Sequence, residues 1–128
     1  MNRLGTIAFA MLAGVVIGGA AVSGLNAQGK APEGYAVVDI SEITDPKVFE
    51  QIGPKAGPSA AAFGGKYVVR TNNITNIDGT PPQRLVVIAF ESVEKAKAWS
   101  NSPAQKEVFD LNKKSTKSRT FIVEGMPN

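Results

Sequence analysis

The sequence predicts an α+β domain in which helices cover one face of a four-stranded antiparallel sheet. Three observations support this fold class. Four short runs are rich in β-branched residues, the helical segments follow residues that cap helix N-termini, and the elements form two βαβ halves joined by a hairpin. The predicted strands are residues 35–43, 66–70, 85–90 and 120–123, and the predicted helices are residues 46–63, 92–101 and a segment that begins at Pro103.

The first half of the domain starts with an alternating strand and continues into a helix that prolines interrupt. Asp45 and Pro46 predict the helix start, because Asp accepts hydrogen bonds from the first N–H groups and Pro at the first helical position loses none. Pro54 and Pro58 lack an N–H group and clash with the preceding turn. We therefore expect this helix to break or kink near residues 53–57.

The two halves are joined by a segment, residues 71–83, that is rich in Asn, Gly and Pro. This composition is typical of a loop, so we expect the segment to connect the two strands of a hairpin. A short extra strand over residues 74–77 is an alternative within this loop. The complete order of elements is that of the ferredoxin-like fold, a split βαβ sandwich. Its helices can cover only one face of the sheet.

The third predicted strand is apolar on both faces. Leu85, Val87 and Ala89 alternate with Val86, Ile88 and Phe90. Since the helices cover only one of these faces, the other needs a second covering layer. We therefore expect a homodimer in which sheet packs against sheet.

Apolar stripes at helical spacing define the buried sides of the last two helices. The stripes are Val93, Ala96 and Trp99, then Ala104, Val108 and Leu111. We interpret Trp99 as a core residue rather than a stacking platform, because it lies on the apolar stripe of its helix.

The C-terminal part of the chain contains a basic run of Lys113, Lys114, Lys117 and Arg119. We interpret it as a solvated helix end rather than an anion or membrane-surface site.

The N-terminus has the pattern of a secretory signal peptide. A positive charge precedes a short apolar stretch, and small residues lead to a cleavage point after Ala27. We expect a signal peptide over residues 1–27, a linker over residues 28–33 and the domain over residues 34–126, in a secreted or periplasmic protein. An uncleaved membrane anchor is the alternative, although four glycines dilute the apolar stretch.

The missing residue types exclude several chemistries. Cys and His are both absent, so the chain has no disulfide, thiolate nucleophile, His-based triad or histidine-ligated haem or zinc. No DxDxDG-type spacing suggests a calcium loop. The formal net charge of +3 is too small to argue for nucleic acid. We expect no cofactor, no metal and, after signal cleavage, no membrane contact.

Several short motifs together resemble the DUF1330 family, a domain of unknown function in the dimeric α/β-barrel superfamily. The motifs are GYAVVDI from Gly34, FGGKYVVR ending at Arg70, RLVVIAF from Arg84, Ala98-Trp99, Ser102-Pro103 and VEG ending at Gly125. The resemblance covers nearly the whole predicted domain. It implies the ferredoxin-like fold and a barrel-forming dimer, and it brings no established reaction. Relatives commonly carry Glu where this chain has Ala89, which weakens the case for a polar catalytic cleft.

Three functional hypotheses follow from these observations. The first is an exported, dimeric domain that binds a small, possibly anionic molecule in a cleft at the sheet face, because Arg holds carboxylates bidentately. Its candidate ligand-binding residues are Tyr35, Asp39, Arg70, Asn72 and Arg84. The second is an enzyme resembling the cofactor-independent monooxygenases and isomerases of the superfamily. The third is a purely structural or interaction protein.

The enzyme hypothesis needs a general base and a proton donor. Asp39 or Glu124 could act as the base if burial raised the pKa of the carboxyl group, and Tyr35 or Arg84 could act as the donor. Fold-level analogy is the only other support for this hypothesis.

Overall fold

Residues 31–127 are described by a computed structural model. The elements are β1 (Gly34–Ile43), α1 (Pro46–Phe49), α2 (Gly53–Ala61), β2 (Lys66–Thr71), β3 (Arg84–Phe90), α3 (Val93–Ser100), α4 (Pro103–Ser115) and β4 (Thr116–Glu124). The predicted signal peptide and the first half of the predicted linker, residues 28–30, lie outside the described residues. Within the described part of the chain, no helix has the length and apolar character needed to cross a membrane.

The four strands form one antiparallel sheet in the order β2-β3-β1-β4. The two central strands, β1 and β3, come from different halves of the chain, which interleaves the halves in one sheet. This topology is the ferredoxin-like fold, and the predicted α+β class is confirmed. Each helical connection returns the chain to the same face of the sheet, so the helices form a single layer.

The sheet has a face that packs against the helices, here the helix face, and an opposite face, here the open face. The register of the paired strands places Ala36, Ile88 and Ile122 together on the helix face. The next set of residues paired across the same three strands is Val37, Val87 and Phe121, and it lies on the open face. Ile88 is 2% exposed whereas Phe121 is 42% exposed. Within residues 31–127, no helix covers the apolar side chains of the open face, and Phe121 is exposed there.

The core lies between the helix face and α3. Trp99, at 1% exposure, and Ala96, at 0%, pack onto Ala36, Ile88 and Phe90 of the two central strands. The Trp99 and Phe90 rings are tilted by 40° with centroids 5.2 Å apart. The predicted α3 stripe is thus the buried one, and Trp99 is a core residue as expected.

The helix break falls earlier in the chain than the prolines suggested. The break separates α1 from α2 at residues 50–52, whereas Pro54 lies in the first turn of α2 and Pro58 lies inside it. The prediction of a break near residues 53–57 is therefore wrong in position. The predicted start is correct, because the Asp45 carboxylate accepts a hydrogen bond from the Val48 N–H at 3.2 Å.

Two predictions for the C-terminal half also need correction. The buried side of α4 is formed by Gln105, Val108, Asn112 and Ser115 rather than by Ala104, Val108 and Leu111. Strand β4 begins at Thr116, so Lys117 and Arg119 belong to a strand and not to a helix end. Polar residues can occupy this buried side because each of them finds a hydrogen-bond partner. A pattern based on apolar residues alone could not predict their burial.

The loop between β2 and β3 does not contain the short extra strand considered for residues 74–77.

Candidate functional site

A cavity of about 380 Å³ lies between the helix face of the sheet and helices α1, α2 and α4; we call it the helix–sheet cavity. Its size is within the range of small-molecule sites. Aliphatic side chains from β1, β3 and α4 form much of its wall. The aromatic members of the wall are Phe49, Tyr67, Trp99 and Phe109, and the polar members are Arg70, Arg84, Gln105 and Asn112.

Trp99 contributes an aromatic surface to this cavity. Its ring stands between Phe90 and Phe109, and the Phe109 ring meets it edge-on with centroids 5.8 Å apart. Among the described residues, its indole Nε1 has no hydrogen-bond partner and is shielded from solvent. Because that atom is shielded, the indole N–H does not face the cavity. Trp99 therefore offers a ligand apolar contact rather than a hydrogen bond.

Two buried carboxamides line the side of the cavity formed by α4. Gln105 is 3% exposed and accepts a hydrogen bond from the Ser59 hydroxyl at 2.9 Å. Asn112 Nδ2 donates to Ser118 Oγ at 2.9 Å, and the Thr116 hydroxyl donates to the backbone carbonyl of Asn112 at 2.7 Å. These hydrogen bonds hold both side chains in place without charge.

Two guanidinium groups bring positive charge to the cavity from neighbouring strands. Arg70 lies on β2 with its guanidinium over the Tyr67 ring, 4.8 Å from the ring centroid. Arg84 lies on β3, and its Nη1 donates to Asn72 Oδ1 at 2.7 Å. Arg70 is exposed and Arg84 partly buried, so the charge lies where the cavity meets solvent. Such a pair can hold a carboxylate or another oxyanion.

A β-bulge puts Arg70 at this site. Residues three apart on a regular strand point to opposite faces. The register shifts between Tyr67 and Val69, so that Tyr67 pairs with Ile88 while Arg70 pairs with Val86. Both partners belong to the helix face. The extra residue of the bulge thus turns Tyr67 and Arg70 to the same side.

Tyr67 supplies a hydroxyl group to the same region. Burial raises the pKa of the Tyr67 phenol, and the nearby Arg70 charge opposes that rise. The phenol is therefore neutral at physiological pH and available as a hydrogen-bond donor.

The chain matches DUF1330, described as a domain of unknown function, over residues 33–126. It belongs to the DUF1330 family. The resemblance read from the short motifs is thereby confirmed. No curated protein matches the chain.

Solved structures share the fold of this DUF1330 domain but little of its sequence. A protein of unknown function from Rhodopseudomonas palustris superposes with a TM-score of 0.59 at 14% identity, over 78% of this chain and 87% of that one. SnoaB, a cofactor-independent oxygenase from Streptomyces nogalater, superposes with a TM-score of 0.54 at 14% identity, over 75% of this chain and 95% of that one. At these identities the likeness establishes the fold alone.

The residues predicted to line one cleft of the DUF1330 domain are divided between the two faces of the sheet. Arg70 and Arg84 line the helix–sheet cavity, and Asn72 contacts it through Arg84. Tyr35 and Asp39 lie on the open face: the Tyr35 hydroxyl donates to Glu33 at 2.7 Å, and Asp39 Oδ2 is 2.9 Å from Arg119 Nη2. The structure does not bring these two residues to the cavity, because their positions on β1 alternate with Ala36, Val38 and Ile40.

The sequence hypothesis missed three residues of this site: Tyr67, Gln105 and Asn112. For Gln105 and Asn112 a signal existed, since both lie on one side of α4 at a spacing of two turns, together with Val108. A search restricted to apolar residues could not find them. For Tyr67 the missing information was the bulge, which depends on pairing with β3.

Proposed function

We propose that this DUF1330 domain binds a small organic anion, with its apolar body in the helix–sheet cavity and its charged group at Arg70 and Arg84. The single observation that carries the proposal is the combination of an apolar cavity with two guanidinium groups at one end. Buried apolar surface provides affinity, and the charge-assisted hydrogen bonds provide orientation. The neutral side chains of Tyr67, Gln105 and Asn112 add polar contacts along the wall.

The lining also limits the chemistry that the domain can perform. Among the described residues that line the cavity, none is acidic, so a substrate would have to ionise without help from a neighbouring carboxylate. Asp39 is occupied by Arg119 on the open face, and Glu124 is exposed at the end of β4. The second candidate function is that of a cofactor-independent oxygenase or isomerase. The fold that this domain shares with SnoaB supports it, whereas the cavity lining does not. Binding without chemistry is the function that we favour.

Binding can be measured through the single tryptophan of the chain, because Trp99 lines the cavity. We expect 2-naphthoate to quench Trp99 fluorescence and its methyl ester to bind more weakly, since the ester carries no charge. Arg70→Gln and Arg84→Gln should each weaken 2-naphthoate binding by about tenfold, the loss expected for one charge-assisted hydrogen bond. Binding of the ester should change little in either variant.

Lys97→Gln is the matched control for these variants. It removes one positive charge from the exposed side of α3, at a position that does not line the cavity. We expect it to bind 2-naphthoate like the wild type. Equal binding of acid and ester by the wild type, or equal losses in all three variants, would contradict an arginine-based anion site.

We also propose that the domain works as a homodimer outside the cytoplasm. The dimer is supported by the uncovered apolar side chains of the open face, among them Phe121 and Val123, each 42% exposed. Export is supported by the signal-like pattern of residues 1–27 alone. Native mass spectrometry of protein from the host's extracytoplasmic fraction would measure the cleaved mass, the oligomeric state and any retained ligand together.

A further inference from the structure

A second cavity, of about 450 Å³, lies on the same side of the sheet, at the edge formed by β4; we call it the strand-edge cavity. On β4 the cavity is lined by Thr120 and Ile122 of the helix face and by Phe121, whose side chain lies on the open face; Lys113 of α4 adds a charged group. None of these four residues lines the helix–sheet cavity. The site proposed above does not account for this space.

The two cavities share part of their walls. Trp99, Phe109 and Asn112 line both of them. The helix–sheet cavity extends over β2, β3 and β1, and the strand-edge cavity extends over the neighbouring strand β4. The three shared side chains therefore form a partition between adjoining spaces.

Only one member of the partition lacks a firm anchor. Trp99 is 1% exposed and held between two aromatic rings. Asn112 is 9% exposed, and its Nδ2 donates a hydrogen bond to Ser118. Phe109 is partly buried, and its ring contact is the edge-on one with Trp99. Phe109 is therefore the most exposed of the three shared side chains.

We propose that the strand-edge cavity is a second subsite of the binding site and that Phe109 sets the length of ligand that the domain accepts. The ligand class is a monocarboxylate with an unbranched apolar tail. Its carboxylate lies at Arg70 and Arg84, and its tail passes Phe109 to reach Ile122. This inference rests on the anion site of the proposed function.

Straight-chain carboxylates from hexanoate to dodecanoate test the proposal by calorimetric titration of the wild type and of Phe109→Ala. Each buried methylene group strengthens binding by up to about fourfold. In the wild type we expect a smaller gain for each methylene group beyond Phe109, because the ring must turn aside before the tail can reach Ile122. In Phe109→Ala the gain should continue along the series, so that dodecanoate binds at least about tenfold more tightly than in the wild type. Hexanoate, whose tail ends before the strand-edge cavity, should not bind more tightly to Phe109→Ala than to the wild type.

Phe63→Ala is the matched control, because Phe63 packs against the same core but lines neither cavity. It should keep the wild-type dependence on chain length, which separates a lost partition from a loosened core. Phe109→Leu, a milder change, provides the same comparison if Phe109→Ala does not fold. The same length dependence in the wild type and the Phe109 variants would overturn the subsite. Failure of every carboxylate to bind the wild type would instead overturn the proposed function.

Discussion

Arg70 illustrates how one backbone irregularity decides which residues can act together. Strict alternation along β2 would place Arg70 opposite Tyr67, on the open face. The bulge places both on the helix face, where the guanidinium covers the phenol ring at 4.8 Å from its centroid. This contact keeps Arg70 near the cavity although its charged group is exposed.

Tyr67 makes the stability of the domain sensitive to alkaline pH. Burial raises the pKa of the folded phenol above its ordinary value of 10.0, so the folded state retains a proton that the unfolded state loses. The free energy of unfolding should therefore fall as the pH rises through about 10 and approaches the raised pKa. Tyr67→Phe retains the ring beneath Arg70 and should reduce this fall.

Urea unfolding between about pH 9 and about pH 11 measures the difference in slope. Tyr35→Phe is the comparison variant, since the Tyr35 hydroxyl lies near the surface beside Glu33. Its effect on the slope should be smaller, because solvent screens the charge. Identical slopes for Tyr67→Phe and the wild type would mean that the phenol is hydrated in the folded protein.

Helix α2 tolerates prolines that would end most helices. Its sequence, GPKAGPSAA, contains two Gly-Pro pairs, and Pro58 of the second pair lies inside the helix. The residue before a proline normally avoids helical backbone angles, because its Cβ clashes with the proline ring. Gly57 has no Cβ, which removes this clash. The glycine therefore explains why the break occurs before α2 rather than within it.

The pairing of Gly57 with Pro58 predicts a non-additive pair of mutations. In the wild type, Gly57→Ala should be neutral or destabilising, although no atom outside its chain neighbours and the adjacent backbone of its own helix lies within 4 Å of the added Cβ. In a Pro58→Ala background the same change should stabilise the domain by about 0.5–1 kcal/mol, the usual preference of a helix for Ala over Gly. Chemical denaturation of the four proteins gives the coupling energy. Equal effects in both backgrounds would rule out the clash.

At the scale of the whole molecule, the open face of the sheet is an apolar surface that no helix of the described chain covers. It is apolar at Val37, Val87 and Phe121 and carries the Asp39–Arg119 ion pair beside them. The side chains of this pair are 20% and 78% exposed, respectively. Apolar surface with polar groups at its margin is typical of protein interfaces.

The proposed dimer predicts that charge on the open face will separate the protomers. Light scattering at micromolar concentration should give the mass of two chains for the wild type. Phe121→Lys should weaken association by about tenfold or more, because it places an unpaired charge in the apolar contact. Ile77→Lys is the control, since Ile77 is 90% exposed in the loop before β3 and lies outside the sheet. A monomeric wild type would contradict the sheet-to-sheet packing.

Most of the fold was predictable because its signals are local. The strand alternation, the Asp45 cap and the Ser92 cap each depend on residues within one or two turns of the chain. The candidate site was predictable only in part. Arg70 and Arg84 were identified by their chemistry, whereas Tyr35 and Asp39 were assigned to the same cleft although they face the other way.

The sequence by itself determined the family, the order of elements and the apolar character of both faces of β3. Only the tertiary structure decided which polar residues meet. The bulge in β2 depends on hydrogen bonding to β3, and the buried carboxamide of Asn112 finds its partner in Ser118 of β4. The partition at Phe109 likewise requires α4 to pack beside Trp99 of α3. Such contacts join separate elements, so their geometry follows from packing and not from any local pattern of residues.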